Sequence, residues 1–154
     1  MKNYVKPMIM LHDDFAEGVF AASGDCMTVD FLPGTRNEQT PEGYKIGFEF
    51  KYNHISYDHC NHGCRITAMF PCNVNVVEVT DGVTMEGNGT NTIVFTNPNP
   101  LHAAGNNAEH STITIVAIVA SADLVSQVYS LTTATITDAG MRDYDCPTHS
   151  HMYK

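Results

Sequence analysis

The chain has no tryptophan, few charges and little basic character. Tryptophan offers the largest flat apolar ring with a polar edge, so a sugar site here has to rely on tyrosine. Lysine and arginine total 8 against 17 acidic residues, for a formal net charge of −9. Phosphate backbones and anionic lipid surfaces are gripped by basic patches or stripes. The sequence holds neither, so no nucleic-acid partner and no anionic membrane surface is expected. Long apolar runs are missing as well. The strongest is Ile113 to Val119, interrupted by Thr114, well short of the roughly 20 residues a spanning helix needs, so no membrane insertion is expected. Met8 to Leu11 is apolar, but His12, Asp13 and Asp14 follow at once. That is too early for the apolar core of a Sec-type signal peptide.

The 154 residues suffice for one domain with a real core and are short for two. Hydrophobic residues make up 43%, an ordinary share, while charged ones make up only 16%. Threonine, asparagine and serine fill the polar positions instead, as on many exported β-proteins. Residues 1–24 differ from the rest. Leu11, Phe15 and Val19 recur every four residues, and the stretch closes on Ala21, Ala22, Ser23 and Gly24. It reads as a leader-like segment ahead of a single domain at 25–154 with a polar tail. The other reading is an N-terminal strand and turn that pack on the domain.

After Gly24 the period becomes two. Tyr44, Ile46, Phe48, Phe50 and Tyr52 face one way, with Lys45, Glu49 and Lys51 on the other side. Ile66, Ala68 and Phe70 alternate in the same manner, and Val74 to Val79 is valine-rich behind Pro71. Asp81-Gly82 and Asn88-Gly89 mark tight turns, the second followed by a strand at 92–96. Asn88-Gly89-Thr90 has the form of a glycosylation sequon, but the turn is the preferred reading. Asn97 to His110 reads as a long polar loop with two Asn-Pro breakers. Thr112 to Ala120 reads as the longest strand, apolar on both faces and therefore central. Ser121 to Ser130 holds a helical turn or irregular crossing, and Leu131 to Thr137 is a threonine-rich last strand. The expected fold is an all-β, antiparallel β-sandwich of about seven to eight strands. The aromatic face of Tyr44–Tyr52 is expected to pack against the face carrying Ile113, Ile115 and Val119.

The chemistry-bearing residues cluster in "SYDHCNHGC" and "CPTHSH". Cysteine thiolates and imidazoles are the usual zinc ligands. His59, Cys60, His62 and Cys64 form one group, and Cys146, His149 and His151 another. A zinc site from Cys60, Cys64, Cys146 and His149 is chemically possible, although its spacing matches no standard finger or ribbon. The competing reading is disulfides among Cys26, Cys60, Cys64, Cys72 and Cys146, with one of the five left over. Cys26 with Cys146, Cys60 with Cys64, and Cys64 with Cys72 are the pairings considered. A Cys–His catalytic pair would use Cys64 or Cys60 with His54 or His110, but no nucleophile motif surrounds them. Asp143 and Asp145 are weak oxygen ligands for calcium in the absence of an EF-hand pattern. Among the tyrosines considered for a sugar platform (Tyr52, Tyr57, Tyr129 and Tyr144), Tyr57 stands out because it lies in a His/Asn-rich loop beyond the alternating face.

The stretches "YVKP", "AEGVFAASGDC", "GYKIGFEFKYNH" and "GNGTNTIVF" resemble a group of small, uncharacterised Gram-positive bacterial proteins. In that group a leader-like start precedes a β-rich domain. The resemblance implies export and gives no activity. The strand pattern is also similar, in architecture alone, to carbohydrate-binding-module and cohesin-like sandwiches. The expectation is a non-catalytic, exported binding or interaction module for a glycan or cell-surface partner. Its ligand would meet Tyr57 and His54, outside the cell or at its surface, with no cofactor. A zinc-binding protein and a Cys/His enzyme are the alternatives, and a cytoplasmic location is the alternative setting.

Overall fold

The computed structural model describes residues 27–54, 62–101, 103–104, 107–108 and 110–139. The leader-like segment lies outside them. In chain order the elements are β1 (Met27–Thr40), β2 (Gly43–His54), β3 (His62–Met69), β4 (Asn75–Val79), β5 (Thr84–Glu86), β6 (Thr92–Leu101), β7 (Ala103–Ala104), β8 (Asn107–Ala108), β9 (His110–Val119), α1 (Ala122–Leu131) and β10 (Thr133–Asp138). Two four-stranded antiparallel sheets result, ordered β1-β2-β9-β4 and β10-β3-β6-β5, with β7 and β8 as a small separate ribbon. β2 pairs with β9 and β3 with β6. β1 lies against β10, and β4 passes into β5 through the Asp81-Gly82 turn. First strand beside last, second beside next to last, and so inward is the winding of a jelly roll, the double-sheet form of the β-sandwich.

The core lies between the sheets. Ile46, Phe48, Phe50 and Tyr52 of β2 and Ile113, Ile115, Ala117 and Val119 of β9 point inward from the first sheet. Ile66 and Ala68 of β3, Ile93 and Phe95 of β6, and Ile136 of β10 point inward from the second. Aromatic rings bridge the layers: Phe48 meets Phe70 and Phe50 meets Phe95, each with centroids 5.6 Å apart. Such ring pairs add to the burial energy when offset or tilted.

This arrangement corrects one expectation. The faces of β2 and β9 do not oppose one another. They are neighbours in one sheet, with Phe48 beside Ile115 and Phe50 beside Ile113. Alternation reports which side of a strand is buried, not which strand lies next to it. The strand at 110–119 is central in its sheet, but β1, with 14 residues, is the longest.

β1 itself escaped the pattern reading because Pro33 and Gly34 break its alternation. There the ladder bulges: Pro33 pairs with Phe48 and Asn37 with Ile46, so Gly34, Thr35 and Arg36 face Gly47 alone. A Cβ on Gly34 would overlap the Gly47 carbonyl oxygen, so only glycine permits this approach. α1 docks over the bulge. Val125 and Val128 are buried beneath it, and the Tyr129 hydroxyl sits 2.9 Å from the Arg36 carbonyl and 3.1 Å from the Gly47 carbonyl, a donor shared between two acceptors.

The expected polar loop at 97–110 is also corrected. β6 runs on to Leu101. Asn97 pairs with Cys64 and Leu101 with His62, so the β6 side carries extra residues, and Pro98 and Pro100 fall inside that bulge. Proline is tolerated there because the ladder does not call on its missing N–H.

Asn88-Gly89 forms the turn expected, with Gly89 at φ +84°. The Asn88 side chain is fully engaged. Its Oδ1 accepts from the Val76 N–H at 2.7 Å and its Nδ2 donates to the Val76 carbonyl at 3.0 Å. The amide thus stands in for a neighbouring strand along the free edge of β4, and the backbone of Gly89 and Thr90 continues the pairing with Val74. That use as a strand rung is the finding at the sequon.

Candidate functional site

The strand register sorts the ends of the molecule. Met27 pairs with His54, Asn53 with His110, His62 with Leu101 and Cys64 with Asp138. β1, β3 and β9 therefore begin, and β2, β6 and β10 finish, at one end of the sandwich, here the loop end. The opposite, turn end carries the β1–β2 turn, α1 and the turn at 87–90.

Tyr57, His59 and Cys60 belong to the connection between β2 and β3, Cys26 directly precedes β1, and Cys146, His149 and His151 follow β10. Tyr144, Asp143 and Asp145 follow it too. All of these lie outside the described residues. Each is nevertheless joined through the chain to the loop end. His54 is the last residue of β2, paired with Met27.

Beneath that end the core turns polar. Asn97 is the buried polar residue found among the described residues, and its Nδ2 donates to the Tyr52 hydroxyl at 2.8 Å. Tyr52 is itself buried and also bonds the Ser111 side chain. Cys64 is 1% exposed and lies beside the same hydroxyl. Desolvation pushes the Cys64 thiol up to about 11, partly offset by its hydrogen bonds to Tyr52 and to the Asn97 backbone. Burial likewise raises Tyr52. The cluster ties the two sheets together, since Tyr52 belongs to β2 and Asn97 to β6.

This setting bears on several candidate roles. The thiolate is the form of cysteine that attacks electrophiles or binds metal. A buried thiol held neutral is a poor nucleophile, and Cys64 faces the core while His110 is exposed on the outer side of β9. Cys64 and His110 do not form a catalytic pair. Cys64 and Cys72 carry free thiols. From Cys64 to the end of β3 at Met69 the strand rises about 17 Å, against the roughly 7 Å that a disulfide spans between Cα atoms. The Cys64–Cys72 pairing is therefore not formed. Tyr52 is no sugar platform, being buried, and Tyr129 uses its hydroxyl on the bulge. Among the described residues no three histidine, cysteine or carboxylate side chains gather as a metal site, and no helix is long and apolar enough to cross a membrane.

Asn97 is the residue that sequence reading missed. It continues the inward phase of Ile93 and Phe95, a signal masked by the prolines that follow it. The chain matches no protein-family model and no curated protein.

Proposed function

We propose that the protein is a non-catalytic binding or interaction module, exported to the cell surface or beyond, that engages a glycan or surface partner through the connection between β2 and β3. Tyr57 supplies a flat ring and His54 a polar edge. The observation that carries this reading is the convergence of strand ends from both sheets at the loop end. A rigid sheet that fixes the ends of a connection lets its side chains serve recognition without loss of the core. The export part rests on the resemblance carried by "AEGVFAASGDC". A glycan panel and whole-cell binding test the first part: signal from the full chain, lost in Tyr57→Ala, is expected, and no signal on either surface removes the reading. Intact mass and fractionation of the protein from its native cells test the second, and full-length protein confined to the cytoplasm counts against export.

A second reading, zinc binding, has one specific support. Asp138 pairs with Cys64, so the chain leaves β10 directly beside the start of β3, and the segments holding Cys60, Cys146 and His149 are tethered to adjacent strands. The buried, neutral state of Cys64 weighs against its own membership. Metal content and thiol counting on purified protein decide: stoichiometric zinc with free thiols supports the site, whereas disulfide mass shifts without metal sink it.

A further inference from the structure

The sequence holds one Asn-Gly pair, Asn88-Gly89. In such a pair the following residue has no side chain to hinder attack of its backbone nitrogen on the asparagine side chain. The Gly89 nitrogen, on losing its proton, bonds to Cγ of Asn88. The Cγ–Nδ2 bond breaks and ammonia leaves with that proton, giving a five-membered imide that water then opens to aspartate or isoaspartate. No oxidant or cofactor is needed.

The fold holds every participant in this reaction away from it. Gly89 N–H donates to the Val74 carbonyl at 3.0 Å, which occupies the nucleophile. Oδ1 and Nδ2 of Asn88 are both spent on Val76, which fixes the direction in which Cγ presents itself. The Thr90 hydroxyl closes the turn from the other side, 2.7 Å from the Gly87 carbonyl and 2.8 Å from the Thr92 carbonyl. We propose that Asn88 is a latent site of spontaneous deamidation, latched shut by Val74 and Val76 where the chain enters β4 and released whenever that edge opens.

The latch works in one direction. An aspartate at 88 has no Nδ2–H for the Val76 carbonyl and sets a carboxylate against it. Two acceptors then face each other where a donor and an acceptor did. The product cannot re-form the rung, and the edge of β4 loses its cover. Unpaired strand edges are where further strands add. An opening event that would otherwise be transient is thereby recorded permanently in the covalent structure.

The test follows the mass change of the full-length chain at mildly alkaline pH, with peptide mapping to Asn88. Wild type is incubated in native buffer and in urea. The native rate is expected to fall at least about tenfold below the unfolded rate, because reaction requires local opening. Thr90→Ala, which loosens the turn without altering Asn88 or Gly89, is expected to raise the native rate severalfold and leave the rate in urea unchanged. Asn88→Asp, mimicking the product, is expected to unfold at lower urea than wild type. Equal rates in buffer and urea would overturn the latch. So would a native rate unmoved by Thr90→Ala, or an Asn88→Asp variant as stable as wild type.

Discussion

The two ends of the sandwich are built on different terms. At the turn end, polar groups are spent on backbone. Asn88 forms a rung on Val76, Tyr129 bridges the carbonyls of Arg36 and Gly47, and the Thr40 hydroxyl closes on the Gly43 carbonyl. At the loop end, the buried polar groups bond one another across the sheets, Asn97 to Tyr52 with Cys64 beside them. The first arrangement sets local geometry strand by strand. The second locks one sheet to the other just below the connection that carries Tyr57. Substitutions at the turn end should therefore move stability alone, whereas binding should respond at the loop end.

The largest expected effect is at the bulge. Gly34→Ala forces a methyl into the Gly47 carbonyl and should lower stability by about 3 kcal/mol, read from urea unfolding, while binding by the folded fraction stays unchanged. Next comes pH. Cys64 has its folded-state value raised from 9.0 to about 11, so the unfolded chain releases that proton first. Its contribution is complete below pH 9 and disappears as pH rises to about 11, an effect on the order of 2 kcal/mol. Cys64→Ala should therefore show a flatter stability profile over that window than wild type; parallel profiles would contradict the buried cluster. Tyr129→Phe removes the shared hydrogen bond to the bulge and should reduce stability by about 1 kcal/mol, again without touching binding. The smallest effect on stability belongs to Tyr57→Ala, within about 0.5 kcal/mol of wild type by thermal melting, yet it should abolish ligand binding. If Tyr57→Ala unfolds the protein as readily as Gly34→Ala does, the division between the two ends is wrong.

The strands were legible wherever one face was buried and alternation ran unbroken. Tyr44 to Tyr52 is the clearest case, and Ile66 to Phe70 the next. β1 was not legible, because its ladder depends on a bulge at Gly34–Arg36 that turns period two into noise. Asn97 was misread for a related reason. Two prolines that normally end a strand sit in a bulge, where they do no harm, so a buried amide looked like the start of a loop. Sheet partners could not be read at all, since the inward residues of β2 and β9 carry the same pattern whether the strands face or adjoin one another. At the site, the alternation at Tyr44–Tyr52 and at Ile66–Phe70 marked the two strands that flank the connection, β2 and β3, but not the buried cluster below it. Tyr52, Cys64 and Asn97 come from three different strands: Cys64 and Asn97 meet through register, and Tyr52 reaches them from the opposite sheet.

The shared end of β1 and β10 has a mechanical consequence. The two strands lie side by side at the edges of different sheets, with Met27 and Asp138 at the same end. A pull applied through the chain on either side of the domain would open the β1–β2 and β10–β3 ladders one rung at a time, like a zipper, instead of shearing all rungs together. Unzipping yields at far lower force than shear. A domain attached this way would give under tension from its outer strands inward, with the β2–β9 and β3–β6 pairs last to part, an order that single-molecule stretching can read directly.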